Sequence, residues 1–326
     1  MVKVERLAAI HGGKKVEIEY LGFLLWSTVS DILKIPTEDL KEALTDVGLE
    51  KFMPRPVNPH HAFRRVTKDL ETKKAPHGKD TYVNLLVREV KYEGKEVVRQ
   101  LVREIVDSEN KRLDYKPVVN LEIGKEGRLA ITPLVADLLD IERRVIERLP
   151  NAHAEALEHY DGTHIRHMFR DIMGHCNPVS VRPNGGVIFV PHKYASTVEA
   201  AKALGKRLNG YAGNVKIWNV PVIDAHEHRE MLEESLEEQI MNGSLRLIEE
   251  MKAAMEDSSR EPTPRMAQGF VERVKKLKES VAEYEELLET QATKARANLE
   301  LALAQAVKML EIASEDTPNT EEKRGE

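Results

Sequence analysis

The chain has 326 residues, of which 41% are hydrophobic, 32% charged and 5% aromatic. At about 100–200 residues per domain this allows two or three units, and the apolar content supplies a core, which excludes a wholly disordered chain. The 49 Lys/Arg against 55 Asp/Glu give a net charge of −6, which is not the overall signature of a dedicated nucleic-acid binder.

The charge is uneven. Residues 51–100 carry 12 Lys/Arg against 6 Asp/Glu, whereas residues 201–250 carry 6 against 9, so nucleic-acid contact is expected in the N-terminal half. The single cysteine, Cys176, excludes an intramolecular disulfide and a cysteine zinc cage, and fits a reducing, cytoplasmic setting. No run approaches the ~20 apolar residues of a membrane span. Lys3, Glu5 and Arg6 interrupt the start of the chain, so no signal peptide and no membrane partner are expected.

In chain order, the Gly12-Gly13 turn and the alternation through Val16, Ile18 and Tyr20 predict a small β element. Two short helices follow, one over 27–33 that stops before Pro36. The second opens with Thr37 as N-cap, Glu38 and Asp39 in its first turn, apolar Leu40, Ala43, Leu44 and Val47, and Gly48 as its stop. Residues 53–80 read as a basic, proline-rich loop with room for one helix over 62–72. Four alternating runs between 81 and 133, separated at 92–95, 107–110 and 124–127, predict a four-stranded antiparallel meander.

From 134 the pattern turns helical. Leu134, Leu138, Leu139, Ile141, Val145, Ile146 and Leu149 form one stripe, and two further helices are expected over 152–160 and 164–173. A hairpin about Asn184-Gly185, a helix over 195–208 and a strand over 215–223 complete an α-β-β-α-β unit. Residues 224–315 read as two long helices. The first carries Leu232, Leu236, Ile240, Leu247, Met251 and Ala254. The second carries a heptad seam through Val274, Val281, Leu288, Ala295, Ala302 and Met309, with a parallel seam at Leu277 and Tyr284 that weakens at Gln291 and Asn298. At about 45 residues the second helix would span about 65–70 Å and project from a small domain.

The expected fold class is therefore α+β: an antiparallel meander plus an α-β-β-α-β unit, followed by a long antiparallel, coiled-coil-like helical hairpin. The segments are 1–80 (β/helical with a basic loop), 81–223 (the body, with the meander at 81–133 and the remainder at 134–223), 224–315 (the hairpin) and a polar tail at 316–326. Whether 81–223 is one domain or two stays open.

Two clusters could carry chemistry. His153, His159, His164, His167 and His175 lie close in sequence beside Cys176. His164 and His167, at i and i+3, share a helix face and with His175 are the candidate metal ligands, Asp161 or Asp171 being the nearest carboxylates. No His-Glu-x-x-His spacing supports them, and histidines on amphipathic helices are the plainer reading. The second cluster is Arg55, Arg64, Arg65, Lys68, Lys73, Lys74 and Lys79, with Phe63 and His60-His61 among them. Cations neutralise phosphates and rings stack on bases; the plainer reading is a solvated loop. The helix pair over 27–47 has a helix-turn-helix pattern, but its second helix is acidic, which suits packing rather than a groove. No phosphate-binding glycine loop and no Gly-x-Ser-x-Gly elbow occur, and no catalytic residue is assigned.

The run Arg182-Pro183-Asn184-Gly185-Gly186-Val187-Ile188-Phe189-Val190-Pro191 resembles an Arg-Pro-x-Gly-Gly-Val-Tyr-Phe-Val-Pro signature of a poorly characterised family of phage, prophage and bacterial accessory proteins, with Ile188 where the signature has Tyr. Leu25-Trp26 and Ala62-Phe63-Arg64-Arg65 resemble the same family's N-terminal pattern. The likeness covers about residues 20–225. It implies a mobile-element setting and a partner protein, and carries over no activity.

The functional expectation is a non-enzymatic accessory protein. It would act through protein contacts of 224–315, with a partner or a second copy, and through DNA or RNA contacts of 51–79. The alternative is an enzyme acting on nucleic acid with a divalent metal held by the histidines of 153–176; no other cofactor is expected.

Overall fold

Strands β1 (Ala8–His11) and β2 (Lys14–Glu17) pair antiparallel and lead into β3 (Tyr20–Val29), β4 (Lys34–Pro36) and α1 (Thr37–Asp46). The computed structural model describes residues 8–11, 14–17, 19–93, 96–182, 186–256 and 263–315. The turns expected at Gly12-Gly13 and Asn184-Gly185, and the tail 316–326, lie outside these residues.

The helix expected over 27–33 does not form, because β3 runs on through Ser27 to Val29. β3 is an inner strand, hydrogen-bonded to a neighbour on each side, and sheet pairing overrides a short helical spacing. Pro36, not Thr37, is the N-cap of α1; Thr37 is its first residue and its Oγ1 donates to the Glu158 carbonyl at 2.9 Å. Gly48 follows α1 at φ +71°, the left-handed stop that its position predicts.

Next come α2 (Pro59–Lys68), β5 (Thr72–Gly78), β6 (Thr81–Glu93), β7 (Glu96–Asp107), β8 (Arg112–Ile123) and β9 (Leu129–Pro133). The Asn58 side chain caps α2 by accepting from the amides of His60 and His61. α2 starts and ends earlier than 62–72 because Thr72 onward is taken into β5. The remaining elements are α3 (Asp140–Glu158), β10 (His159–Asp161), α4 (Gly162–Gly174), β11 (Val179–Ser180), β12 (Ile188–Pro191), α5 (Ala195–Leu208), β13 (Val215–Ile223), α6 (His226–Glu256), α7 (Pro264–Leu288) and α8 (Thr293–Glu315). α3 passes through Pro150, where two helices were expected.

The chain forms two compact units, each drawn from separated stretches, whereas the sequence divides it into consecutive segments. One unit comprises residues 29–168 and 208–214. Its sheet is the expected meander with one more strand, in the order β5-β6-β7-β8-β9. The extra strand, β5, lies in what the sequence reads as a basic loop; it pairs with β6 at Thr72↔Leu85 and Ala75↔Val83. α2 and α3 supply Phe63, Val66 and Leu149 to a core with Val83, Leu85, Val97, Leu101, Val119, Leu121 and Ile123. Each such buried side chain contributes about 1.5–3 kcal/mol. The other sheet face carries internally bonded polar pairs: Asn84 donates to Glu104 at 2.9 Å and Gln100 to Asn120 at 3.0 Å.

The second unit comprises residues 1–28, 169–207 and 215–326. Its sheet has the order β11-β12-β3-β13. Successive residues of β12 split between two cores: Phe189 joins Leu21, Val179 and Val222 against α6, α7 and α8, while Val190 joins Phe23, Leu25 and Cys176 against Ala195 and Val198 of α5. Gly22 permits the close β3–β12 approach, since a Cβ there would lie 2.2 Å from the Val190 carbonyl oxygen and 2.7 Å from the Phe189 ring.

The expected two-helix hairpin is a three-helix bundle. α7 ends at Glu289, which takes the left-handed conformation at φ 54°, ψ 38°. The Glu285 carboxylate then holds the turn, accepting from the Ala292 amide at 2.9 Å and from Arg296 Nε at 2.7 Å. The break falls where the second seam loses its apolar residues, at Gln291. α8 folds back so that Leu299, Ala302, Ala306 and Met309 pack with Leu236, Ile240, Val274 and Val281. The three helices have 31, 25 and 23 residues, about 46, 37 and 35 Å at 1.5 Å per residue. The heptad seam is consumed internally, and no helix among the described residues reaches about 65–70 Å.

Candidate nucleic-acid interface

β5 is an edge strand. Pro76 gives it no amide at one position, and its pairing with β6 shifts between Thr72 and Ala75 and again between Pro76 and Gly78. Lys74 sits at φ 54°, its amide donated to Asn84 Oδ1 at 2.8 Å. Irregular pairing of this kind belongs to sheet edges. Lys73, Lys74 and His77 are exposed along it, as are Lys79 just beyond its end and Arg55 before α2.

The seven basic residues of the sequence cluster divide by what they touch. Arg64 makes two bonds to Glu89, at 3.0 and 3.3 Å, and lies 4.8 Å from the Tyr92 ring centroid. Arg65 pairs with Asp161. Lys68 reaches Glu71 at 2.6 Å. The Arg64 hydrogen bond, outweighing burial, holds the Glu89 carboxyl below its ordinary range. These three cations are neutralised and anchor α2. Arg55, Lys73, Lys74 and Lys79 make no ion pair among the described residues, so their charge is available to an external anion.

The histidines are not gathered. Burial pushes the Asp161 carboxyl up, but bonds from the His164 ring and amide, with the Arg65 charge, outweigh it and hold the group well below the usual carboxylate range. His164 Nδ1 lies 2.7 Å from Asp161 Oδ1, and the same oxygen accepts the Thr163 and His164 amides at 3.0 Å each, so Asp161 caps α4. His167 is exposed on α4, and His175, beyond its end, belongs to the other unit. His153 is buried against the Pro59 carbonyl, and His159 Nδ1 is 2.8 Å from the Glu155 carbonyl. Among the described residues no three His, Cys, Asp or Glu side chains form a group able to hold a metal ion. Cys176 is buried.

A cavity of about 820 Å³ lies within the bundle unit beside His175, Asn177, Tyr194, Arg246, Lys276 and Glu283. Much of its polar lining is already engaged: Arg273 with Glu250 at 2.6 and 3.2 Å, Ser280 with Asn177 at 2.5 Å, and Tyr194 and Lys193 with one Glu283 oxygen at 3.2 and 2.8 Å. Its cations and carboxylates balance, which gives it no clear preference for a charged ligand.

A family model matches residues 20–316, from β3 through α8. The chain belongs to the family of unknown function DUF6744. The match takes in both units and every segment that carried the sequence resemblance. No curated protein and no solved structure matches the chain, so no activity transfers from a relative to this member of DUF6744. No helix among the described residues is long and apolar enough to cross a membrane.

A second basic stretch straddles the boundary between residues 151–200 and 201–250 and is diluted in both. Residues 172–223 hold six Lys/Arg and a single acidic residue, Glu199. The acidic partners Glu89 and Asp161 were also hidden, because they reach Arg64 and Arg65 only through tertiary pairing.

Proposed function

We propose that this protein is a non-enzymatic accessory protein that binds nucleic acid through the phosphate backbone, using the exposed edge strand β5. The observation that carries this reading is the division of the basic cluster: Lys73, Lys74 and Lys79 stand unpaired and exposed on a sheet edge, while Arg64, Arg65 and Lys68 are consumed by carboxylates. Unpaired cations release counterions from nucleic acid on contact and need no fixed geometry. Edge lysines also serve to block strand pairing between molecules, and that role would give no salt-dependent affinity for nucleic acid.

The resemblance to phage and prophage accessory proteins fits a mobile-element setting, and the lone buried cysteine fits a reducing cytoplasm. A protein partner or second copy on residues 224–315 is supported by the exposed Met241, Leu245 and Met255 of α6, since the heptad seam itself is buried.

The test is binding of labelled single-stranded and duplex oligonucleotides over a salt series. Lys73→Ala/Lys74→Ala/Lys79→Ala is expected to weaken binding at low salt by roughly tenfold or more. It should also reduce the slope of log K against log salt by about 2–3, at 0.7–0.9 per lost phosphate contact. Arg64→Ala should lower thermal stability and leave that slope unchanged. Equal affinity and slope for the triple variant would overturn the assignment.

A further inference from the structure

We infer that the sheet face carrying Trp26 and Trp218 takes the unpaired bases of single-stranded nucleic acid by stacking, a contact on the bundle unit additional to β5. The inference rests on the nucleic-acid reading above and adds where bases, rather than phosphates, are held.

The chain has two tryptophans, and both are exposed, Trp26 at 36% and Trp218 at 50%. They lie on neighbouring strands, β3 and the edge strand β13. The Ser30 amide donates to the Asn214 carbonyl at 2.9 Å and the Asp224 amide to the Glu19 carbonyl at 3.1 Å. These bonds join opposite strand ends, so the pair is antiparallel; their registers differ by one residue, and the bond nearer the tryptophans, Ser30–Asn214, sets Trp26 opposite Trp218. Ile217 packs with Phe23 and Leu25 on the α5 side, which turns Trp218 to the other face. Lys216 and Val220, two residues to either side of Trp218 and on its face, are exposed as well.

The electrostatics select an anionic occupant. β3 and β13 contain no Asp or Glu. Across residues 172–223 the cations outnumber acids six to one in a chain whose net charge is −6. Lys216, on the same face as Trp218, is exposed and makes no ion pair among the described residues. Pro221 removes an amide near the C-terminal end of β13, which interrupts any strand added along this edge. Side-chain stacking is what the edge still offers. Exposed aromatics beside cations on a sheet are the arrangement that binds single strands with little sequence preference.

The two tryptophans make the test direct, because the tryptophan emission of the full chain, excited apart from that of its tyrosines, comes from this face alone. Titration with a thymidine oligonucleotide, with polarisation of a labelled strand read in parallel, is expected to quench that emission as binding saturates. Trp218→Ala should weaken single-strand binding roughly tenfold, and Trp218→Phe, which keeps a stacking ring, should restore most of it. The triple lysine variant should need more oligonucleotide but reach the same quench at saturation. Binding by polarisation with unchanged emission would overturn this inference and leave the β5 reading standing; absence of binding altogether would overturn both. A light-scattering mass of two chains that returns to one in Trp218→Ala would assign the face to a second copy and overturn it too.

Discussion

Arg103 and Glu142 are a charged pair sealed inside the meander unit, with side chains 4% and 0% exposed. Arg103 Nε and Nη2 bond the two carboxylate oxygens at 2.6 and 2.5 Å, and Nη2 also reaches the Asp137 carbonyl at 2.8 Å. Glu142 Oε2 accepts the Leu139 amide at 2.9 Å, which ties the first turn of α3 to β7. Desolvating both charges costs several kcal/mol, and the bidentate geometry with its extra bonds offsets that cost. Removing one partner strands the other. Arg103→Met is expected to destabilise the protein by about 3–5 kcal/mol, whereas Arg103→Met/Glu142→Leu should recover most of that loss. Urea unfolding followed by circular dichroism measures both; a double variant no better than the single one would show that the pair itself, not the orphaned charge, carries the stability.

At the scale of elements, a single acceptor decides where α4 begins. Asp161 ends β10, which pairs with β4 through Tyr160↔Ile35, and its carboxylate accepts the Thr163 and His164 backbone amides and pairs with the His164 ring and the Arg65 guanidinium. The folded state lowers this carboxyl from its ordinary 3.8. Its contribution to stability is therefore complete above that value and is lost as pH falls through the lower folded value. Asp161→Asn keeps a capping oxygen and removes the charge. The variant should melt below the unaltered chain at neutral pH, and the gap should narrow once pH drops under 3.8. Melting curves over a pH series check this, and a gap constant with pH would remove the charge from the explanation. The α7–α8 turn shows the same dominance of local contacts, since one left-handed residue, Glu289, and one carboxylate, Glu285, convert an apparent long helix into two.

At the scale of the whole molecule, both units are assembled from distant stretches. Within the sheet β12 and β13 each pair with β3, which lies between them and comes from the first 29 residues. A fragment of residues 81–223 contains β11, β12, α5 and β13 but lacks the strand that pairs with two of them. Its second half should therefore stay unfolded, with narrow amide dispersion in a proton–nitrogen correlation spectrum. Dispersed signals for β12 and β13 in that fragment would show that the sheet closes without β3. Charge is distributed at the same scale: acids gather in α6, and unpaired cations stand on β5 and around β13.

Much of this protein is written in local pattern. The α+β class, the meander from β6 to β9, the limits of α5 and β13, the Gly48 stop and the buried heptad residues follow from alternation, helical spacing and turn chemistry, because those signals act over a few residues. The candidate interface was half legible: the cations could be counted, but not the carboxylates that silence Arg64 and Arg65. Tertiary structure alone decided that β5 is a strand, that residues 20–29 form an inner strand rather than ending in a helix, that the hairpin is a three-helix bundle, and that β3 and β13, the strands of the two tryptophans, are neighbours. Each of these depends on a partner many residues away, and the free energy of pairing and burial with that partner exceeds the weak local preference that the sequence displays.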